Sequence, residues 1–182
     1  MTDAELVVLA KAGDAGAFDQ LVARHQSAAY RAAMSALRNA HDAEEVAQDA
    51  LVKAWVNLGR FRGDSSFRTW LLTIVWNVAM SRRRSIARWF TRAVPLDVAA
   101  EVPERSVGPH GEASYHETRA LVVTAIEGLS PKLRDALLLA QSGDYGYDEI
   151  AVILTIPVGT VKWRVSEARK QVKAWIATHS TR

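Results

Sequence analysis

The sequence contains no cysteine. That excludes a disulfide framework, a thiolate nucleophile and a cysteine-bearing zinc site, and it agrees with a reducing cytoplasm. No apolar run approaches the ~18 residues that a membrane span requires, so membrane insertion is not expected. The opening MTDAEL lacks the basic segment and long apolar core of a signal peptide. No Walker-type Gly-Lys loop, paired metal-ligand motif or Ser-His-Asp arrangement stands out, so no catalysis, cofactor or metal is expected. No segment longer than a few residues alternates at strand period, and there is no internal repeat.

What is present is helix. Hydrophobic residues make up 49% of the 182, enough for a packed core and too many for a disordered chain. Thr2 and Glu5 have capping-box spacing, and Gly13 suits the stop of a first helix. Asp14 can cap a second, whose Phe18, Leu21, Val22, Ala29, Ala33 and Leu37 recur at helical steps up to Asn39. A third is expected from Asp42, with Glu45 completing a capping box, to about Asn57. Arg60 to Ser66 reads as a loop, and a fourth helix as Phe67 to Arg92, capped by Ser65 or Ser66.

The texture then changes. Pro95, Pro103, Gly108, Pro109 and Gly111 mark a linker at about 94–113. Helical pattern resumes near Ser114 and stops at Gly128, and Ser130-Pro131 opens another helix. A short helix from Asp148 to Leu154, a turn at Thr155-Ile156-Pro157 and a long helix from Gly159 to Ile176 follow. The expected fold is all-α, two helical lobes (1–93 and 114–182) joined by a flexible linker.

Net charge is only +3, but the positive charge is clustered, which favours an anionic partner. In YDEIAVILTIPVGTVKWRVSEARKQVKAW, two helices flank a short turn, the layout of a DNA-reading helix-turn-helix. Ile150, Ala151 and Leu154 form one apolar face, and Val161, Val165, Ala168 and Val172 its partner. Thr160, Lys162, Trp163, Arg164, Glu167, Arg169 and Lys170 are then left for phosphates and base edges. A solvated basic face and a packing role for Trp163 are the alternatives.

The segment SPKLRDALLLAQSGDYGYDEIAVILTIPVGTVKWRVSEARKQV resembles region 4 of extracytoplasmic-function (ECF) sigma factors. DAEEVAQDALVKAWVNLGRFRGDSSFRTWLLTIVWNVAMSRRR resembles region 2 of the same family. The resemblance implies a promoter-recognition subunit of bacterial RNA polymerase. It would dock on the core enzyme through the β′ clamp helices and β flap, bind promoter DNA, and answer to an anti-sigma factor or other regulator. It implies core docking through Glu45, Gln48, Asp49 and Lys53, and −35 reading by the second lobe. The −10 element would fall to Phe61, Arg62, Gly63, Ser65, Ser66 and Asn77, with Arg82, Arg83, Arg84 and Arg88 along the backbone. Thr155 stands where such families place glycine, so its turn needs another solution. Trp70 and Phe67 are expected in the core, while the role of Trp76 is open. Trp89 and Phe90 could meet the other lobe or a regulator. His110 and His116 beside Glu112 and Glu117 are far more consistent with surface histidines than with a metal switch. A free-standing helix-turn-helix regulator would explain the second lobe, but not the acidic third helix or the Phe61–Asn77 stretch.

Overall fold

The computed structural model describes residues 1–93, 112–143 and 145–179. The side chains of 86–93 and 112–119 lie outside that description. The expectations for the linker and His110 therefore fall outside the described residues, and those for Arg88, Trp89, Phe90 and His116 rest on side chains outside the description.

Among the described residues there are helices and turns, with no strand. The helices are α1 (Asp3–Lys11), α2 (Ala15–Leu37), α3 (Ala40–Asn57), α4 (Phe67–Ala93), α5 (Glu112–Glu127), α6 (Pro131–Gln141), α7 (Tyr147–Leu154) and α8 (Val158–His179). A 3-10 turn at Leu58–Arg60 follows α3.

Local chemistry sets most of the helix ends. Thr2 and Glu5 close the capping box: the Thr2 backbone N–H donates to Glu5 Oε2 at 2.7 Å, and the Glu5 N–H to Thr2 Oγ1 at 3.3 Å. Asp14 Oδ1 caps α2 by accepting from the Ala17 N–H at 3.1 Å. At the α2–α3 junction the structure corrects the sequence expectation. Arg38 takes the left-handed conformation (φ 55°) that ends α2, which leaves Asn39 extended. Asn39 Oδ1 then accepts from the Asp42 N–H at 3.0 Å, so α3 starts at Ala40 rather than Asp42. Asp42 and Glu45 are thereby free to take another partner.

The N-terminal lobe packs α1, α3 and α4 around α2. Leu6, Leu21, Val46, Leu71, Leu72 and Val75 are its fully buried large side chains. Each such burial is worth roughly 1.5–3 kcal/mol. Ala29 and Ala33 on α2, Ala50 and Ala54 on α3 and Ala79 on α4 are also sealed, and small side chains let the helices approach closely. Trp76 is 3% exposed and belongs to this core. Phe67 is buried as expected, set edge-on against Phe61 with ring centroids 6.1 Å apart.

In the C-terminal lobe, α6, α7 and α8 pack on one another and α5 packs along α8. Val161, Val165 and Ala168 are buried and Val172 partly so, the expected stripe. On α7 the buried set is Ile150, Ala151 and Ile153, with Leu154 only partly covered. The helix begins one residue before the expected Asp148, and Ile153 belongs to the buried core. The two lobes touch, α4 on α7 and α2 on α6.

Candidate nucleic-acid and polymerase interfaces

The outer face of α3 carries Glu45 and, one helical turn on, Gln48 and Asp49, all exposed. The same stripe continues into Val52 and Val56, exposed apolar side chains. Gln48 also borders a groove between α2 and α3 of about 510 Å³, lined by Gln26, Tyr30, Glu44 and Leu51 among others. Lys53, exposed one turn beyond Asp49, lies at the edge of this stripe. It opens on a different groove, between α3 and α4.

That second groove has a volume of about 370 Å³ and is lined by Lys53, Asn57, Arg60, Trp70, Ile74, Asn77, Val78 and Ser81. Asn77 is exposed at its wall and Trp70 is half-buried there. Two cations, two amides and one aromatic edge thus converge on one concavity. Sequence reasoning missed Asn57 and Arg60. Their signal was present: Lys53, Asn57 and Arg60 recur at steps of four and three beside the acidic stripe.

The loop between α3 and α4 is arranged differently from the expectation. Phe61 is 8% exposed, packed on Phe67 and on Trp70 at 5.1 Å between centroids, so its ring is not offered to a ligand. The Lys11 ammonium donates to its carbonyl and ties the loop to α1. Gly63 has φ +82°, a conformation a side chain would strain. Arg62 pairs with Asp64 at 3.0 Å on the surface. Ser65 Oγ donates weakly to the Ser66 carbonyl at 3.4 Å. Ser66 Oγ caps α4 by accepting from the Thr69 N–H at 3.0 Å, so its hydroxyl is already engaged.

Of the arginines toward the end of α4, Arg82 and Arg83 have partners. Arg82 donates to Asp42 at 3.0 Å and to Glu45 at 2.6 Å; the Asp42 hydrogen bond, then the Glu45 charge, hold its guanidinium firmly ionised. Arg83 lies 3.6 Å from Asp135 of α6. Arg84 is exposed.

The recognition-type helix α8 sorts its candidates into two stripes. Lys162, Arg169 and Lys170 border a groove of about 440 Å³ with Tyr147, Val165, Ser166 and Lys173. Thr160, Arg164 and Glu167 share the next face, where Glu167 accepts from Gln171 at 2.9 Å. Trp163 lies between the stripes and is 61% exposed, so packing against the protein is not its role. Lys173 extends the basic stripe one turn beyond the expected set. Thr155 solves the turn as a non-glycine residue in the left-handed region (φ 54°, ψ 50°). Among the described residues no cluster of three or more metal-ligating side chains occurs, and no helix is long and apolar enough to cross a membrane.

Comparison with known proteins covers both lobes. Residues 21–90 match the family profile for Sigma-70 region 2, and residues 119–172 that for Sigma-70, region 4. The chain is 35% identical over 179 residues to the RNA polymerase sigma-H factor of Pseudomonas aeruginosa, covering 93% of this chain and 91% of the relative. It is 36% identical over 181 residues to the ECF RNA polymerase sigma-E factor of Escherichia coli K12, with 94% and 93% covered. Among solved structures it is similar to CnrH in complex with the cytosolic domain of CnrY, with a TM-score of 0.67, 27% identity, and 97% and 98% of the chains covered. It is also similar to the sigma factor RpoE of Bartonella quintana in complex with the anti-sigma factor NepR, with a TM-score of 0.60, 26% identity, and 89% and 98% covered. The region 2 match accounts for the lobe that a free-standing helix-turn-helix regulator leaves unexplained. With both regions present in order, and relatives aligned along nearly their whole length, the chain belongs to the ECF group of the sigma-70 family and is a transcription initiation factor, not an enzyme.

Proposed function

We propose that this chain acts in the cytoplasm, where residues 1–93 dock on core RNA polymerase and hold the melted −10 element, and residues 114–182 read the −35 element. Residues 94–113 are the linker between them. The observation that carries the reading is the pairing of two surfaces in a chain matching both sigma regions: the Asn77 groove on one lobe and the basic face of α8 on the other.

The physical task is to open DNA without nucleotide hydrolysis. Taking one base out of the stack costs a few kcal/mol. Stacking it on an aromatic side chain returns roughly 1–3 kcal/mol. The chain can therefore open a promoter only by holding the opened form more tightly. In the α3–α4 groove Asn77 has donor and acceptor for a base edge, and the half-buried Trp70 takes the aromatic part that Phe61 does not. Lys53 and Arg60 supply charge for the adjoining phosphates. Gly63 allows the loop backbone close to the strand, with Arg62, Ser65 and Ser66 beside it, and Arg84 and Arg88 continue the path.

Glu45, Gln48 and Asp49 form the polymerase-facing stripe, directed at the β′ clamp helices, and the second lobe meets the β flap. On α8, Lys162, Arg169, Lys170 and Lys173 track phosphates. Thr160, Arg164 and Glu167 face bases, Glu167 as an acceptor suited to a cytosine amino group. An anti-sigma factor is the expected regulator, since a similar structure holds one. Permanganate footprinting of polymerase–promoter complexes tests this assignment. Wild type is expected to make −10 thymines reactive, and Asn77→Ala to leave them protected while core binding persists. Equal reactivity in both proteins would remove Asn77 from the mechanism.

A further inference from the structure

Where the end of α2 approaches α5 and α6, the chain forms a small basic cavity that the surfaces described above do not use. Its volume is about 170 Å³, and Arg38, Arg83, Arg134 and Glu127 line it, with the buried Ile126 and Leu138 among the apolar residues. Arg38 caps α2, Arg83 is on α4 and Arg134 on α6, so three guanidinium groups reach one space from three elements.

Their charge is poorly matched. Arg134 Nη1 donates to the Glu127 carbonyl at 3.1 Å, but Arg134 Nε is buried and has no acceptor among the described residues. A buried donor without a partner is costly and uncommon. Arg83 stands 3.6 Å from Asp135, and Arg84 and Arg164 act on the same carboxyl. Five guanidinium groups therefore bear on two carboxylates, Glu127 and Asp135. Burial, then Arg134 beside it, draws the Arg83 guanidinium below its ordinary value, yet an arginine in a protein stays protonated. The excess positive charge remains, beside an apolar floor where salt and water screen it weakly.

The donors select the occupant. Guanidinium forks match phosphate oxygens in pairs. A carboxylate offers two oxygens in one plane, whereas a phosphoryl group offers a tetrahedral array that can serve donors from three directions. The cavity has the room of about five water molecules at ~30 Å³ each. It is smaller than the ~300–1,000 Å³ of pockets that enclose a whole drug-sized ligand. A phosphate or pyrophosphate fits, and an attached nucleoside would lie outside.

We propose that this cavity is a phosphoryl-anion site, in which Arg38, Arg83 and Arg134 hold inorganic phosphate or pyrophosphate and Arg134 Nε donates to one of its oxygens. Glu127 and Asp135 repel a second anion, so one equivalent binds.

Calorimetric titration of the full chain in phosphate-free buffer at fixed ionic strength tests the site. Polymerase and DNA are absent, so the result is independent of the promoter-reading assignment. The probes are sodium phosphate, sodium pyrophosphate and adenosine triphosphate, with sodium chloride as reference. The variants are Arg38→Gln, which removes an exposed charge, and Arg134→Lys, which keeps the charge and lacks the Nε donor. Thermal melts check that both are folded. Lys132→Gln, exposed on α6 and outside the cavity wall, removes one charge elsewhere. The unaltered chain is expected to bind one equivalent of pyrophosphate. Affinity should fall about tenfold in Arg38→Gln and in Arg134→Lys, and by less than about twofold in Lys132→Gln. Triphosphate binding no tighter than pyrophosphate identifies the free anion as the occupant, and binding more than about tenfold tighter identifies the end of a nucleotide; both uphold the phosphoryl site. Absence of saturable binding of every probe by the unaltered chain overturns it. So does equal weakening in all three variants, which marks diffuse attraction to a basic surface. Undiminished binding in folded Arg38→Gln and Arg134→Lys also overturns it, because the anion then sits elsewhere.

Discussion

Arg82 donates to Glu45 at 2.6 Å, joining the end of α4 to the outer face of α3. One residue lies on the proposed DNA side and the other on the proposed polymerase side, so they share a contact across the lobe. Glu45→Gln removes one of the two carboxylates that Arg82 holds. Core affinity is expected to fall, and to fall more at low salt than at high salt, since exposed charges are screened. Arg82→Ala is expected to spare core affinity at high salt and slow open-complex formation. The double variant should show less than the sum of the two losses. Fluorescence anisotropy titrations with core polymerase at two ionic strengths, alongside open-complex kinetics, check this.

Thr155 occupies a left-handed position that β-branched residues adopt at a cost. Thr155→Gly is expected to stabilise the protein by about 1 kcal/mol, offset in part by the added freedom of the unfolded chain. Chemical denaturation measures it. Duplex binding should be unchanged, because the Thr155 side chain is not among the proposed base contacts.

Trp76 and Trp163 make opposite predictions from one residue type. Trp76→Ala deletes a core ring, and a loss of about 3–5 kcal/mol is expected. Trp163→Ala truncates an exposed ring and is expected to leave the melting temperature within a degree or two while weakening −35 duplex binding. Paired thermal melts and gel-shift titrations separate the two.

This contrast shows what could be read from the amino-acid order. The α2 and α8 stripes were legible because one amphipathic period ran for several turns. The caps at Thr2, Asp14 and Ser66 were legible because their partners lie three residues away. Asn39 was missed as the start of α3 because Asp42 and Glu45 carry the same spacing signal; the left-handed Arg38 decided between them, and that is a backbone fact. Phe61 read as a free ring because its burial depends on Trp70 and Phe67 folding back over it. Lys53 sits near the edge of the acidic stripe in one dimension, and only the approach of α4 turns it toward Asn77. The seam between the lobes joins residues some eighty positions apart, Arg68 and Glu149, which no local pattern announces.

The attachment of α1 should depend on pH. Asp3 accepts from Arg24 at 2.8 Å and pairs with His25 at 2.6 Å. Burial acts to raise its carboxyl pKa, but the Arg24 and His25 hydrogen bonds outweigh it, and the net shift is below 3.8. A depressed folded value means that the stability is fully present above the unfolded value and is lost as pH falls through the folded one. Amide exchange in α1 is therefore expected to speed up below about pH 4. Asp3→Asn should show the faster exchange at every pH and lose that dependence.

Reconstituted transcription tests the promoter-reading assignment most directly. Core bacterial polymerase lacking any sigma factor, mixed with this chain and a promoter library, is assayed by run-off synthesis, with Asp49→Arg and Asn77→Ala in parallel. The expected result is specific transcripts from a small promoter set. Asp49→Arg should abolish them by loss of core binding, and Asn77→Ala by failure to open DNA with core binding retained. Absence of core binding by the unaltered chain, together with tight duplex binding on its own, would contradict the account.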